Sequence, residues 1–244
     1  LRPTGIPQQC DGCGSNFTVE HALNCKKGGL VTWRHNDAMY EWADMCKRAL
    51  PASSVGTEPY IFYGNGVRAE QRGATTPATD PPSENSGEEE TVEAIGDEAR
   101  GDVSARGFHT RRRVTIFDIR VTDTDAPSYR NRTSAKVIEA AEKEKCNKYY
   151  AACRERQRDF VPLVYSVDGL PGKRAKAAEK RLAALLAAKW DRPYSDVMNF
   201  VRVRMSLAVV RSNSLLLRTE RAKSTYQRRA PEGAEACMSG RGLE

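Results

Sequence analysis

The sequence predicts a mixed α/β protein, a central mixed sheet flanked by helices, with a small metal-stabilised module at its N-terminal end and further helices at its C-terminal end. Three observations lead there. A Cys/His array occupies residues 10–25. The segment Val114–Val121 alternates side chains in the two-residue period of a strand. Three long stretches carry apolar residues at the three- and four-residue steps of amphipathic helices.

Cys10, Cys13, His21 and Cys25 form a C-x2-C-x7-H-x3-C array. Two cysteines two residues apart make a knuckle whose thiolates converge on one ion, and a His/Cys pair on the first turn of a helix closes a tetrahedral site. The spacing points to one structural Zn²⁺ held within residues 8–35. A closed site of this kind holds a fold or grips nucleic acid and does no chemistry itself. The alternative is a set of ordinary buried cysteines with one histidine nearby by chance. Seven cysteines, an odd number with three of them in the array, suit a reducing compartment better than a disulfide framework.

Charge narrows the partners. The 39 Lys and Arg against 32 Asp and Glu leave a surplus of seven positive charges, which favours polyanions, nucleic acid first. The longest apolar run, Leu182 to Ala188, is far too short to span a bilayer, and nothing at the start resembles a signal peptide. A soluble, intracellular protein with no membrane partner is expected. The chain begins at Leu1, so a fragment of something longer is expected too.

Along the chain, Asn36 to Leu50 reads as a helix stopped by Pro51, with Met39, Trp42, Ala43 and Cys46 on one face. Residues 65–99 are rich in Gly, Pro, Ser, Thr and acids with almost nothing to bury, and read as a flexible insertion between core segments 36–64 and 100–172. Asp102–Phe108 and Val114–Val121 flank a basic turn and suggest a β-hairpin. In its second strand Phe117, Ile119 and Val121 share one face, and Ile116, Asp118 and Arg120 the other. A helix follows from Ser134 to Arg158, with Glu142, Lys145 and Tyr149 at i, i+3 and i+7. Phe160–Val167 reads as a strand whose Pro162 argues for an edge or a strand start. Two helices close the fold within residues 173–217. Lys173–Trp190 carries Ala178, Leu182, Leu185 and Leu186 on one face; Ser195–Leu217 carries Val197, Val201, Met205 and Ala208. A polar tail, residues 218–244, is expected to be disordered.

Asp102 and Asp118, with Arg120 two residues beyond, resemble the D…(D/E)-x-K signature of restriction-endonuclease-like nucleases. With the zinc array, His21-Ala22-Leu23-Asn24-Cys25, Arg34-His35-Asn36, Glu58-Pro59 and the helix bearing Lys145, Lys148 and Tyr149, the order is similar to the C-terminal endonuclease region of site-specific non-LTR retrotransposon proteins. The resemblance runs across most of residues 10–217. It implies a restriction-endonuclease-like fold and a metal-dependent endonuclease that nicks target DNA in the nucleus, downstream of a reverse transcriptase in the same polyprotein, with RNA as a further partner. It also implies that Asp102 and Asp118 hold a catalytic Mg²⁺. Two carboxylates holding such an ion neutralise phosphate charge and supply hydroxide.

Two positions depart from the signature. Gly101 stands where proline is common, and Arg120 where lysine is usual. Arginine stays protonated, so Arg120 can contact the scissile phosphate but cannot act as a base. Lys145 is the candidate substitute amine, with Tyr149 packed beside it. Nucleic-acid contacts are expected from Arg34, His35, Arg111, Arg112, Arg113, Arg202, Arg204 and Arg211. His35 is open between a surrogate ligand and a phosphate contact, Glu41 between a third acid and a surface charge, and His109 between solvent and nucleic acid. Two other functions compete: a nucleic-acid-binding remnant with a degenerate nuclease centre, and a zinc-stabilised protein-interaction domain.

Overall fold

The structure, a computed structural model, describes residues 7–62, 99–217 and 221. Apart from Ala99 and Arg221, the insertion at 65–99 and the tail at 218–244 lie outside the described residues. The element order is α1 (Val19–Asn24), α2 (Leu30–Ala49), β1 (Val55–Thr57), β2 (Tyr60–Phe62), β3 (Ala99–Arg100), β4 (Val103–Arg106), β5 (Val114–Thr122), α3 (Ser134–Glu155), β6 (Asp159–Ser166), α4 (Lys173–Trp190) and α5 (Tyr194–Leu216).

Four strands form a mixed sheet in the order β1-β4-β5-β6, and β2 and β3 pair in a separate ribbon. β1, β4 and β5 run antiparallel, whereas β6 is parallel to β5, with α3 as the crossover that parallel pairing requires. Pro162 sits on β6, an edge of this sheet, where a missing N–H costs no ladder bond on the open side.

The alternation along β5 sorts its side chains as the pattern predicts. Phe117 and Ile119 enter the main core with Trp42 and Met45 of α2, Leu182 and Leu186 of α4, and Val201 and Met205 of α5. Ile116 packs on the other face with Phe160 and with Tyr149 and Cys153 of α3. Helices therefore cover both faces of the sheet. Within the main core a buried polar pair joins β6 to α4, where Tyr165 Oη donates to Glu179 Oε1 at 2.9 Å.

Several boundaries differ from the sequence expectation, each for a local reason. Helix α2 starts at Leu30, not Asn36, because Gly28 and Gly29, both with positive φ, turn the chain directly into it. Arg34-His35-Asn36 is therefore on the helix and not ahead of it. Helix α3 ends at Glu155, three residues before Arg158, since Gln157 adopts φ 54° and the chain turns there into β6. The first hairpin strand is Val103–Arg106, shorter than Asp102–Phe108, because Gly107 with φ 88° begins the turn and Asp102 has already left the ladder. Helix α4 matches Lys173–Trp190, and α5 is offset by one residue from Ser195–Leu217. Among the described residues no helix is long and apolar enough to cross a membrane.

Candidate functional site

The N-terminal array closes on itself. Gly14, with φ 73°, lets its N–H reach Cys10 O at 2.8 Å, and Cys10 N–H donates to Ser15 O at 2.8 Å, so Cys10 and Cys13 share a tight knuckle. Thr18 Oγ1 accepts the His21 N–H at 3.1 Å and starts α1, which presents His21 and, at its end, Cys25. The four donor atoms lie within 4.8 Å of one another. Cys10 Sγ is 3.9 Å from Cys25 Sγ, Cys25 Sγ is 3.9 Å from Cys13 Sγ, and Cys13 Sγ is 3.3 Å from His21 Nε2. A tetrahedral zinc with ordinary bond lengths sets such atoms about 3.5–3.8 Å apart. The donor set therefore fits a metal, and its three sulfurs and one imidazole suit zinc. Hydrogen bonds from Ser15 hold the Cys13 thiol down at about 6, and burial pushes Cys25 up.

This module is docked on the core. Leu23 of α1 packs with Leu30, Val167 and Leu216. Asn24 Nδ2 donates to Asp123 Oδ2 at 3.0 Å, just past the end of β5. Arg221, almost fully buried, reaches back so that its guanidinium donates to Ala22 O at 3.1 Å while its backbone N–H donates to the Asp11 carboxylate at 2.6 Å.

A second group of polar side chains gathers where β4 leaves β5. The β4–β5 register ends with Val103 paired to Phe117, one residue short of Asp102 and of Asp118. At Asp102 the chain turns: the Asp102 N–H still donates to Phe117 O on β5, but its C=O accepts from Glu58 N–H on the other side. Ile119 N–H, left without a strand partner there, donates to Asp102 Oδ2. His35 Nε2, from α2, donates to Asp102 Oδ1 at 3.1 Å.

Asp118 is 4% exposed, and from α3 Lys145 Nζ donates to its Oδ1 at 3.2 Å. Nζ also lies 2.9 Å from the buried Oδ2, so the one ammonium serves both carboxylate oxygens. Burial pushes the Asp118 carboxyl above the usual carboxylate range, Lys145 opposes that, and the Asp102 charge adds to it. His35 is pushed up, chiefly by its bond to Asp102. Beside these groups a cavity of about 400 Å³ is lined by Val31, Arg34, His35, Ile119, Arg120, Val121, Glu144 and Lys145.

The remaining candidates fall into different settings. Arg120 shares the Asp118 face, as the alternation predicts, but its guanidinium is tied to Glu144 Oε2 at 2.7 Å. Tyr149 is 6% exposed in the α3-side core against Phe160, so its ring is a packing element one turn from Lys145. Arg34 is 3% exposed and donates to Asn213 Oδ1 at 3.1 Å, a tie between α2 and α5 beside the cavity that it helps to line. Arg204 binds Glu41, and Arg211 binds Asp37 at 3.0 Å, so both also clamp α5 to α2. Glu41 is thereby a buried ion-pair partner and not a third acid of the cleft. Arg202 is exposed, as are Arg111 and Arg112, while the exposed Arg113 reaches Asp159 at 3.4 Å. His109, in the same turn, is exposed with its ring edge-on to Phe108.

Sequence reasoning missed Glu144 as the partner of Arg120, and the bond from His35 to a residue 67 positions away. No spacing rule links residues so far apart; only the strand register and the packing of α2 bring them together. Among the described residues, the only convergent group of three or more Cys, His, Asp or Glu donors is the N-terminal one. The chain matches no family model and no curated protein.

Proposed function

We propose that this chain is a metal-dependent DNA endonuclease region of a retroelement-derived protein, built on a restriction-endonuclease-like core and steadied by an N-terminal zinc module. The observation that carries the reading is the buried Asp118, with the Asp102 carboxylate bonded to the N–H of the next residue, Ile119, and the Lys145 ammonium 2.9 Å from Oδ2. A buried carboxylate is costly unless a cation or donor meets it, and here Lys145 meets Asp118. Magnesium takes few protein ligands, commonly one or two carboxylates plus water and substrate phosphate, so two neighbouring aspartates match its needs where three convergent donors would suit zinc. When bound there, Mg²⁺ would neutralise phosphate charge and lower the pKa of a bound water.

The chain's own residues then divide the work. Asp102 and Asp118 hold the charge, and Lys145, fixed on Asp118, lines the cavity with an ammonium that a phosphate oxygen could meet. Arg120 lines the same cavity and offers a permanent positive charge, which Glu144 orients. The amine thus comes from α3, and arginine at the usual lysine position does not by itself empty the site.

One observation favours the second reading, a nucleic-acid-binding remnant: each aspartate already has a cationic or imidazole partner, so the cluster is charge-compensated as it stands. Supercoiled DNA incubated with zinc-loaded protein and Mg²⁺ or Mn²⁺ decides between them. Nicking by the native protein that Asp118→Ala abolishes, with DNA affinity nearly intact, upholds the endonuclease. Binding without any cleavage by the native protein transfers the conclusion to the remnant.

A further inference from the structure

We infer that His35 is a positioning residue of the cleft, fixing the Asp102 carboxylate beside Asp118 and thereby setting the affinity of the pair for a divalent cation. The inference rests on the reading of Asp102 and Asp118 as a cation site.

Asp102 stands where the chain turns from one neighbouring strand to another, so the sheet alone does not hold its side chain. Two bonds do. Ile119 N–H takes Oδ2, and His35 Nε2 takes Oδ1 at 3.1 Å. Each carboxylate oxygen has two lone pairs, so one hydrogen bond apiece orients the group and still leaves acceptor capacity for a cation.

His35 can act this way because α2 cannot roll. Arg34, one residue before it, is bonded to Asn213, and Asp37, two residues after it, accepts from Arg211 at 3.0 Å and from Ser212 Oγ at 3.0 Å. The imidazole is therefore delivered to Asp102 by a helix pinned to α5 on both sides of it. A donor that orients a ligating carboxylate from the outer shell is worth roughly ten- to a hundredfold in metal affinity.

The test titrates Mn²⁺ into the full, zinc-loaded chain and follows free Mn²⁺ by electron paramagnetic resonance, so no cleavage is needed for a readout. The native protein should show one site that Asp118→Ala removes. His35→Ala should weaken that site at least about tenfold, while His35→Gln, whose amide nitrogen can take the place of Nε2, should stay within about threefold of native on the same scale. If His35→Ala does not fold, His35→Asn, too short to reach Asp102, takes its place with the same expectation.

Native Mn²⁺ affinity in His35→Ala or His35→Asn overturns the inference, as does equal loss in the glutamine variant. A native protein with no Mn²⁺ site sensitive to Asp118→Ala overturns the underlying reading instead, and the inference falls with it.

Discussion

Gly101 lies so close under Ile116 that a β-carbon on it would stand 2.5 Å from the Ile116 Cγ2 methyl. Ile116 is fully buried and β-branched, so that methyl has little freedom to move aside. The Gly101 N–H also donates to Pro59 O at 2.9 Å. The glycine at this position is therefore demanded by the packing.

Gly101→Ala should destabilise the fold by about 1–3 kcal/mol through overpacking. Gly101→Pro should cost more, since it adds the same clash and removes the donor to Pro59. Urea unfolding midpoints of the two variants measure this, and a proline variant as stable as the native protein would contradict it.

Metal analysis of reduced, purified protein should give one zinc per chain, and Cys25→Ser should lower that sharply. Because ligand bonds are folding energy for a small module, chelation should loosen α1 and expose the Leu23 contact with Leu30, Val167 and Leu216. Hydrogen exchange localises the effect: faster exchange in residues 8–30 with β5 and β6 unchanged is the expected outcome. Native protection in metal-free protein would show the array to be a plain cysteine core.

The basic turn at Arg111–Arg113 leads into β5, and Asp118 lies at the middle of that strand. Replacing all three arginines with alanine should weaken duplex binding on every sequence and flatten the salt slope. With Arg113 already engaged by Asp159, the change should be nearer two contacts than three, about 0.9 in slope for each. Arg211→Ala, by contrast, should leave the slope alone and lower stability, because it strips a partner from the buried Asp37. A salt slope that answers to Arg211 and not to the turn would move the interface to α5.

Glu179 supplies a pH prediction. Its carboxyl is buried in the main core and pushed above the usual glutamate value of 4.5, chiefly by burial. A carboxylate whose folded pKa is raised binds its proton more tightly in the folded state, so stability falls as pH rises from the unfolded value to the folded one. Glu179→Gln keeps an acceptor for Tyr165 and carries no charge. Its stability relative to the native protein should therefore climb as pH rises above about 4.5 and level off beyond the raised folded value. Urea unfolding between pH 4 and pH 8 tests the slope, and a difference that does not change with pH would mean that folding does not raise the Glu179 pKa.

Local pattern was enough for much of this molecule. Cysteine and histidine spacing alone defined the N-terminal donor set, because a knuckle and a helix turn converge their side chains whatever surrounds them. Two-residue alternation assigned Phe117 and Ile119 to one face of β5, and Ile116, Asp118 and Arg120 to the other, since the pleat fixes that relation within one strand. Periodicity likewise located α4 and α5. What these patterns do not encode is the partner on the far side of a contact. In the sequence Glu41 reads as a surface charge or third acid and Arg204 and Arg211 as nucleic-acid contacts; they become clamps only because α2 and α5 pack together. Arg34 looks like a phosphate contact and is buried for the same reason. Whether Asp102 meets His35, and Asp118 meets Lys145, depends on strand register, on the turn at Asp102 and on the roll of α2 and α3. Those are long-range packing outcomes, decided by how whole faces fit and not by any residue's neighbours in the chain.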